Sequence, residues 1–158
     1  MIPKKYLNLG CGNDIKKSTS DSVWVNLDSQ KKEGVDVVWD LNKYPWPFKD
    51  NTFDLVYCSN ILEYPQRLDL AMKQLERITK PEGIIEIISP YVKSDGAFKH
   101  MHIILEDTPL TYFDHSILLS VQYICSGGFR KFLPFKKILS LFLWNIYDFM
   151  HLRVQIKK

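Results

Sequence analysis

The first feature of the sequence that indicates ligand chemistry is a turn with almost no side chains. The stretch YLNLGCGND runs from apolar residues into Gly10, Cys11 and Gly12 and leaves on Asn13 and Asp14. Glycine lets the backbone approach a ligand closely and exposes amide donors to it. The polar pair after the corner tolerates a cationic or zwitterionic ligand better than a diphosphate. Cys11 suits the corner because it is small, and we expect no nucleophilic role for it.

Two acids close the next two apolar runs and extend the same chemistry. Asp28, at the end of VWVNLD, can accept hydrogen bonds from both hydroxyls of a ribose. Asp40, at the end of VDVVWD, can accept one from an exocyclic amine, and Leu41 can pack on an adenine face. Capping of the strand ends is the alternative role for both acids. A dinucleotide fingerprint needs a glycine where Ile15 stands, so we predict a site for a nucleoside without phosphates.

These residues come together only if several strands end at a common edge, where open parallel sheets bind their ligands. Near-continuous apolar runs indicate strands covered on both faces. The five predicted strands are residues 6–9, 23–27, 35–39, 53–58 and 84–89. A helix is predicted over 66–79, because Leu68, Met72 and Leu75 fall on one face, and KPEG ends it. The predicted fold class is α/β: a Rossmann-like, doubly wound, mostly parallel sheet in a single domain over 1–158.

The pattern is weaker in the second half of the chain. We predict a loop over 92–109, helices over 112–124 and 135–150, and an antiparallel closing strand over 151–156. Nearer the N-terminus, the polar stretch 13–22 lacks helical periodicity. The first crossover is therefore predicted to be a loop or a single turn.

Composition and charge narrow the class of protein. The chain has 158 residues, 46% of them hydrophobic, which is enough for one domain with a core. Its 21 basic and 18 acidic residues are scattered, so nucleic-acid binding is not expected. The cysteines Cys11, Cys58 and Cys125 share no metal-ligand spacing, which predicts free thiols in a reducing compartment and no metal site. With no secretory signal or membrane-spanning run, a cytoplasmic location is expected.

Four ordered stretches carry a resemblance to a known family. They are LNLGCGND, VNLDS, VVWDLNKYPWPFKDNTFDLVYCSNILEYP and ITKPEGIIEIISPY. Over residues 6–91 they resemble the successive motifs of class I S-adenosylmethionine-dependent methyltransferases, most of all the small bacterial group with a methyltransferase-11-like core. The resemblance implies methyl transfer from S-adenosyl-L-methionine to an oxygen or nitrogen nucleophile of a small molecule or sugar, with S-adenosyl-L-homocysteine as the other product.

The resemblance also implies a set of cofactor contacts. They are Gly10, Cys11, Gly12, Asn13, Asp28, Ser29, Asp40, Leu41, Ser59 and Asn60. By this correspondence the glycine corner surrounds the methionine part of the cofactor and Asp28 binds the ribose. Asp40 and Leu41 bind the adenine, and Ser59 and Asn60 belong to the loop after the fourth strand. The sequence departs from the family where Asn8 replaces a frequent acid.

Catalysis of methyl transfer depends mainly on alignment, and a base is needed only if the acceptor must lose a proton. The resemblance gives His102 as the nearest match to a histidine that often follows the fifth strand, and Tyr64 is the other candidate. The alternatives are a supporting or surface histidine and an aromatic pocket wall. The family's frequent histidine at Asn60 or Tyr64 is missing. That keeps a second hypothesis open, a cofactor-binding relative that serves as a partner or scaffold.

Residues 92–158 are expected to form the substrate cover and the closing elements. Within them, 129–150 combine aromatic side chains with four basic residues. A helix that covers the sheet is one interpretation; contact with a membrane surface, a lipid-linked acceptor or a second copy in a homodimer are the others. A nicotinamide oxidoreductase is a third functional hypothesis, which Ile15 disfavours.

Overall fold

One mixed sheet runs through the described part of the chain. The computed structural model describes residues 2–92, 101–114, 116–125, 136–137 and 147–158. The strands are β1 (Lys4–Leu9), β2 (Ser22–Asp28), β3 (Val37–Val38), β4 (Phe53–Ser59), β5 (Thr79–Pro90), β6 (Ser116–Ile124) and β7 (Phe149–Ile156), and the helices are α1 (Leu68–Ile78) and α2 (Thr108–Tyr112). Across the sheet the strand order is β3-β2-β1-β4-β5-β7-β6.

The sheet is parallel from β3 to β5 and antiparallel at β7. β1 pairs in parallel with both β2 and β4, and β7 lies antiparallel between β5 and β6. The chain therefore starts at the centre of the sheet, runs to one edge and returns on the other side of β1. Such a reversal is the point where ligands bind in open α/β sheets. The predicted fold class, with its antiparallel closing strand, is confirmed.

The register of the strands brings buried aliphatic side chains into line across one face of the sheet. Leu7 lies opposite Val56, which lies opposite Ile85, and Ile85 lies opposite Val154. All four side chains are fully buried, each contributing about 1.5–3 kcal/mol of transfer free energy. The apolar stripe of α1 joins the same core cluster, which explains why this amphipathic segment forms a helix here. The helix is slightly shorter than the predicted 66–79.

The first two connections contain no helix. Residues 10–21, between β1 and β2, run as a loop with a turn, which confirms the prediction from their polar composition. Residues 29–36, between β2 and β3, are also irregular. The carboxyl ends of the first three strands lie close together because these strands pair in parallel.

The predicted helix over 112–124 is wrong. Most of that range forms β6, an edge strand that pairs with β7. The run SILLSVQYI is apolar without a clear period, and periodicity alone cannot separate a helix from a strand in such a run. Pairing over long range decides the outcome, because Val121 lies opposite Leu152 and Tyr123 opposite Met150.

The KPEG segment also behaves differently from the prediction. KPEG was predicted to end the helix over 66–79, but α1 ends at Ile78 and β5 already begins at Thr79, so KPEG lies within the strand. Phe53 pairs with Thr79 and Leu55 with Ile84, so four residues bulge out of the ladder between these pairs. Glu82 within the bulge has a positive φ of 62°.

Three further boundaries differ. β3 is shorter than the predicted 35–39, and the predicted loop over 92–109 gives its last two residues to α2. Phe149 and Met150 belong to β7, because its pairing with β5 extends to its first residue, and not to the helix predicted over 135–150. Most of that predicted helix lies outside the described residues.

Candidate functional site

The glycine corner follows β1 directly, and its two glycines have different reasons to be there. Gly10 and Gly12 have positive φ angles of 64° and 53°, a conformation that favours glycine. A Cβ on Gly10 would lie only 2.4 Å from Ile61 Cγ1, so the space beside it is already filled by protein. A Cβ on Gly12 would meet nothing within 4 Å. A side chain at Gly12 would therefore have room, and one at Gly10 would not.

Asp28, the last residue of β2, is bonded to the corner. Its Oδ2 accepts a hydrogen bond from the Gly12 backbone amide at 2.8 Å, and its Oδ1 accepts one from the Gln30 amide at 3.0 Å. Partial burial opposes ionisation, but the bonds from Gln30 and Gly12, with the nearby charge of Lys32, outweigh it and lower the pKa of Asp28. The carboxylate is therefore ionised and oriented at neutral pH.

The residues after β3 form a capped turn. Asp40 Oδ1 accepts a hydrogen bond from the Asn42 backbone amide at 3.0 Å, so the capping role left open by the sequence is present here. Leu41 is buried, and its carbonyl accepts a bond of 3.1 Å from the indole Nε1 of Trp46. The Asp40 side chain and the buried indole of Trp46 therefore both hold this turn in place.

A cleft of about 240 Å³ lies between the ends of β1 and β2, the turn after β3 and the loop after β4. The predicted cofactor residues that line it are Gly10, Asp28, Ser29, Asp40 and Leu41. Tyr64, one of the two catalytic candidates, lines it as well, with 53% of its surface exposed. Three strand ends thus meet at one site, as the sequence predicted.

Sequence reasoning missed part of the lining. The missed residues are Leu27, Trp39, Asn42, Ile61 and Pro65. The first three directly flank predicted site residues, so their position at strand ends was a usable signal. Ile61 and Pro65 likewise follow two predicted site residues, Asn60 and Tyr64, so the same signal could have found them.

The other predicted cofactor residues lie outside the lining of this cleft. They are Cys11, Gly12, Asn13, Ser59 and Asn60. Cys11 is buried, and burial together with the nearby Asp28 carboxylate raises the pKa of its thiol, which agrees with a packing role. Asn60 has a positive φ of 50°, and its backbone amide donates to the Ile88 carbonyl at 2.8 Å. Cofactor contacts by all ten predicted residues stay predictions.

His102 is tied to the loop that lines the cleft. Its backbone amide donates to the Glu63 carbonyl at 3.2 Å, and its ring Nε2 lies 2.7 Å from the Pro65 carbonyl oxygen. A carbonyl oxygen only accepts, so Nε2 carries the proton and donates it to this bond. In this geometry Nε2 is not available as a proton acceptor. The contact agrees with the supporting role that the sequence left as an alternative.

The described residues also bear on the other ligands considered. Within them, no three His, Cys, Asp or Glu side chains lie together as metal ligands do. The three cysteines are free thiols. Over the same parts of the chain, no helix combines the length and apolar character needed to span a membrane.

Residues 7–87 match the model of the methyltransferase domain family Methyltransf_11. The chain belongs to this family. The matched residues run from β1 through β5 and include every strand end that lines the cleft. Membership confirms the family predicted from the sequence, and with it the family's cofactor, S-adenosyl-L-methionine.

This methyltransferase domain is also similar in sequence to a curated protein and in fold to solved structures of methyltransferases. The chain is 45% identical over 53 residues to an uncharacterised protein of Methanocaldococcus jannaschii, a match that covers 34% of this chain and 22% of that relative. A methyltransferase dependent on S-adenosylmethionine from Archaeoglobus fulgidus has the same fold, with a TM-score of 0.69 and 16% identity over 97% of this chain and 86% of that one. A second such methyltransferase, from Mesorhizobium loti, has a TM-score of 0.65 and 12% identity, and the match covers 97% of this chain and 91% of that one.

The cleft of this methyltransferase domain fits an adenosyl cofactor. Asp28 offers an oriented carboxylate for a pair of hydroxyls, and Leu41 with Trp39 offers apolar surface for a flat base. The corner leads into a loop and not into a helix, so the cleft lacks the helix N-terminus that favours a pyrophosphate. The chemistry of the residues that line the cleft therefore suits a nucleoside without phosphates.

Proposed function

We propose that this chain transfers a methyl group from S-adenosyl-L-methionine to an oxygen or nitrogen nucleophile of a small molecule or sugar. The observation that carries the proposal is Asp28, whose carboxylate is held by the Gly12 and Gln30 amides at the edge of a cleft. Family membership supports the reaction class. The class of methyl acceptor follows neither from the Asp28 geometry nor from family membership; it rests on what the sequence resemblance implies.

In this proposal, different residues bind the ribose, the adenine and the methionine part of the cofactor. Asp28 accepts the ribose hydroxyls, and Asp40 accepts from the exocyclic amine of the adenine. Leu41 and Trp39 pack against the base, and the open space at Gly12 admits the methionine part. The bound cofactor supplies an activated methyl group on its sulfonium, so the protein needs mainly to align the acceptor and exclude water.

Tyr64 remains the candidate for a direct role in the reaction. It lines the cleft and is half exposed, so its hydroxyl can meet an acceptor there. His102 is assigned a positioning role, because its Nε2 donates to the Pro65 carbonyl next to Tyr64. In this proposal, residues 92–158 supply the substrate cover and the closing elements.

Titration calorimetry with S-adenosyl-L-homocysteine tests the binding half of the proposal. We expect Asp28→Asn to weaken the affinity about 10- to 100-fold, since it removes charged hydrogen bonds to the ribose. Asp21→Asn is the matched control, because Asp21 is exposed on the loop before β2 and lies outside the cleft lining; it should leave the affinity unchanged. Equal affinities for Asp28→Asn and the unmodified chain would contradict the proposal.

A second function is favoured by one observation. Among the described residues, no histidine lines the cleft, and the Nε2 of His102 donates to the Pro65 carbonyl. A cofactor-binding scaffold needs no base. Tight binding of S-adenosyl-L-homocysteine without turnover over a panel of sugar, amine and carboxylate acceptors would support this alternative, and turnover with any of them would remove it.

A further inference from the structure

Two buried asparagines lie beneath the loop that follows the glycine corner. Asn8 and Asn26 are only 2% and 3% exposed, and they face each other across β1 and β2. Each stands two residues before a site residue, Asn8 before Gly10 and Asn26 before Asp28. Since alternate residues of a strand point to the same face, their side chains lie on the sheet face opposite that of Leu7 and Leu9.

The Asn26 amide pairs with the loop as a strand would. Its Oδ1 accepts from the Lys16 backbone amide at 2.9 Å, and its Nδ2 donates to the Lys16 carbonyl at 3.0 Å. Nδ2 also lies 3.3 Å from Asp36 Oδ2, which accepts the Asn26 backbone amide at 2.7 Å. These contacts fix the orientation of the amide, because the reverse would place its oxygen against the Lys16 carbonyl.

The Asn8 amide closes the same set of bonds. Its Nδ2 donates to the Asp14 carbonyl at 2.6 Å and to Asn26 Oδ1 at 3.0 Å, so both of its hydrogens are used. These bonds hold Asp14 and Lys16 against the sheet, in a first crossover that contains no helix. We call Asn8 and Asn26 the asparagine clamp.

We propose that the asparagine clamp positions the cofactor corner, and that Asn26 is its key positioning residue. The Gly12 amide that orients Asp28 lies between β1, which ends at Leu9, and the clamped segment that starts at Asp14. If that segment is released, Gly12 loses its fixed position and the Asp28 carboxylate loses one of its two donors. The inference rests on the proposed function for its effect on cofactor affinity.

The isosteric variant Asn26→Asp tests the clamp, because the oxygen that replaces Nδ2 cannot donate to the Lys16 carbonyl and is repelled by Asp36 Oδ2. We expect the dissociation constant for S-adenosyl-L-homocysteine, measured by calorimetry on folded protein, to rise about tenfold, as for the loss of one or two hydrogen bonds. Hydrogen–deuterium exchange of the peptide over residues 10–21 should accelerate in the same variant without any ligand. Asn8→Asp should change both quantities in the same direction.

Leu152→Val is the control for a purely structural effect. Leu152 is fully buried on β7, away from the corner, so the change lowers stability without touching the clamp. Its affinity and its exchange over 10–21 should equal those of the unmodified chain. If Asn26→Asp behaves like this control, the clamp is wrong. If the exchange accelerates but no variant and no unmodified chain binds S-adenosyl-L-homocysteine, the clamp holds and the proposed function fails.

Discussion

At the scale of single residues, the site depends on backbone amides as much as on side chains. Asp28 receives one amide from the glycine corner and one from Gln30, so its charge points in a fixed direction before any ligand arrives. A carboxylate held in this way needs little reorganisation when two hydroxyls approach it. Gly10 sets the path of the corner because Ile61 occupies the place where its side chain would be.

The two glycines of the corner should respond differently to alanine. Gly10→Ala meets both a positive φ and the Ile61 side chain, and we expect a loss of about 2–4 kcal/mol in the free energy of unfolding. Gly12→Ala meets only the φ penalty, about 1–2 kcal/mol. Urea denaturation followed by circular dichroism measures both.

A double variant separates the steric part of this effect. Ile61→Ala in the Gly10→Ala background removes the two closest atoms, Cγ1 and Cδ1, and should recover part of the loss through a favourable coupling energy. Equal losses for the two glycine variants, or additive losses in the double variant, would show that Ile61 does not press on the corner.

At the scale of elements, α1 is linked to the loop that precedes β4 through one arginine. Arg77 donates to the carbonyls of Phe48 and Trp46 at 2.7 and 3.1 Å, and also to Asp50 Oδ1 at 2.7 Å. Trp46 is buried and donates to the Leu41 carbonyl, so this contact reaches the turn that lines the cleft. The planar guanidinium presents its donors in a fixed fork that matches these separate acceptors, whereas a lysine ammonium is a compact charge on a flexible stem.

Arg77→Lys should therefore lower the free energy of unfolding by about 1.5–3 kcal/mol. Arg67→Lys, at the N-cap of the same helix, is the matched control: its pair with Asp69 is exposed, and we expect no measurable change in the free energy of unfolding. Chemical denaturation of the two variants gives the comparison. A similar small effect for both would mean that the carbonyl contacts of Arg77 contribute little.

Elements were predictable from sequence wherever local and long-range signals agreed. The first two strands, β4 and α1 carry clear apolar patterns and were found with small boundary errors. The apolar run of β6 has no period and does not distinguish a strand from a helix, because its pairing with β7 depends on residues some 30 positions away in the sequence. The bulge after Thr79 was missed for the same reason, since KPEG is locally indistinguishable from a turn.

At the scale of the whole molecule, the strand order makes the site. Because the chain reverses direction across the sheet at β1, the ends of β1, β2 and β3 and the loop after β4 surround one cleft. Asp28, Asp40 and Leu41 could be predicted because each stands at a strand end. The contact between Ile61 and Gly10 could not be predicted, because the strand order and the fold of the loop after β4 bring these two residues together.

The central claim is that an adenosyl cofactor occupies this cleft with its ribose on Asp28. The most direct measurement is a crystal structure of the chain with S-adenosyl-L-homocysteine. We predict both ribose hydroxyls within about 3 Å of the Asp28 carboxylate and the adenine against Leu41. A ligand bound elsewhere, or one whose ribose makes no contact with Asp28, would contradict the claim.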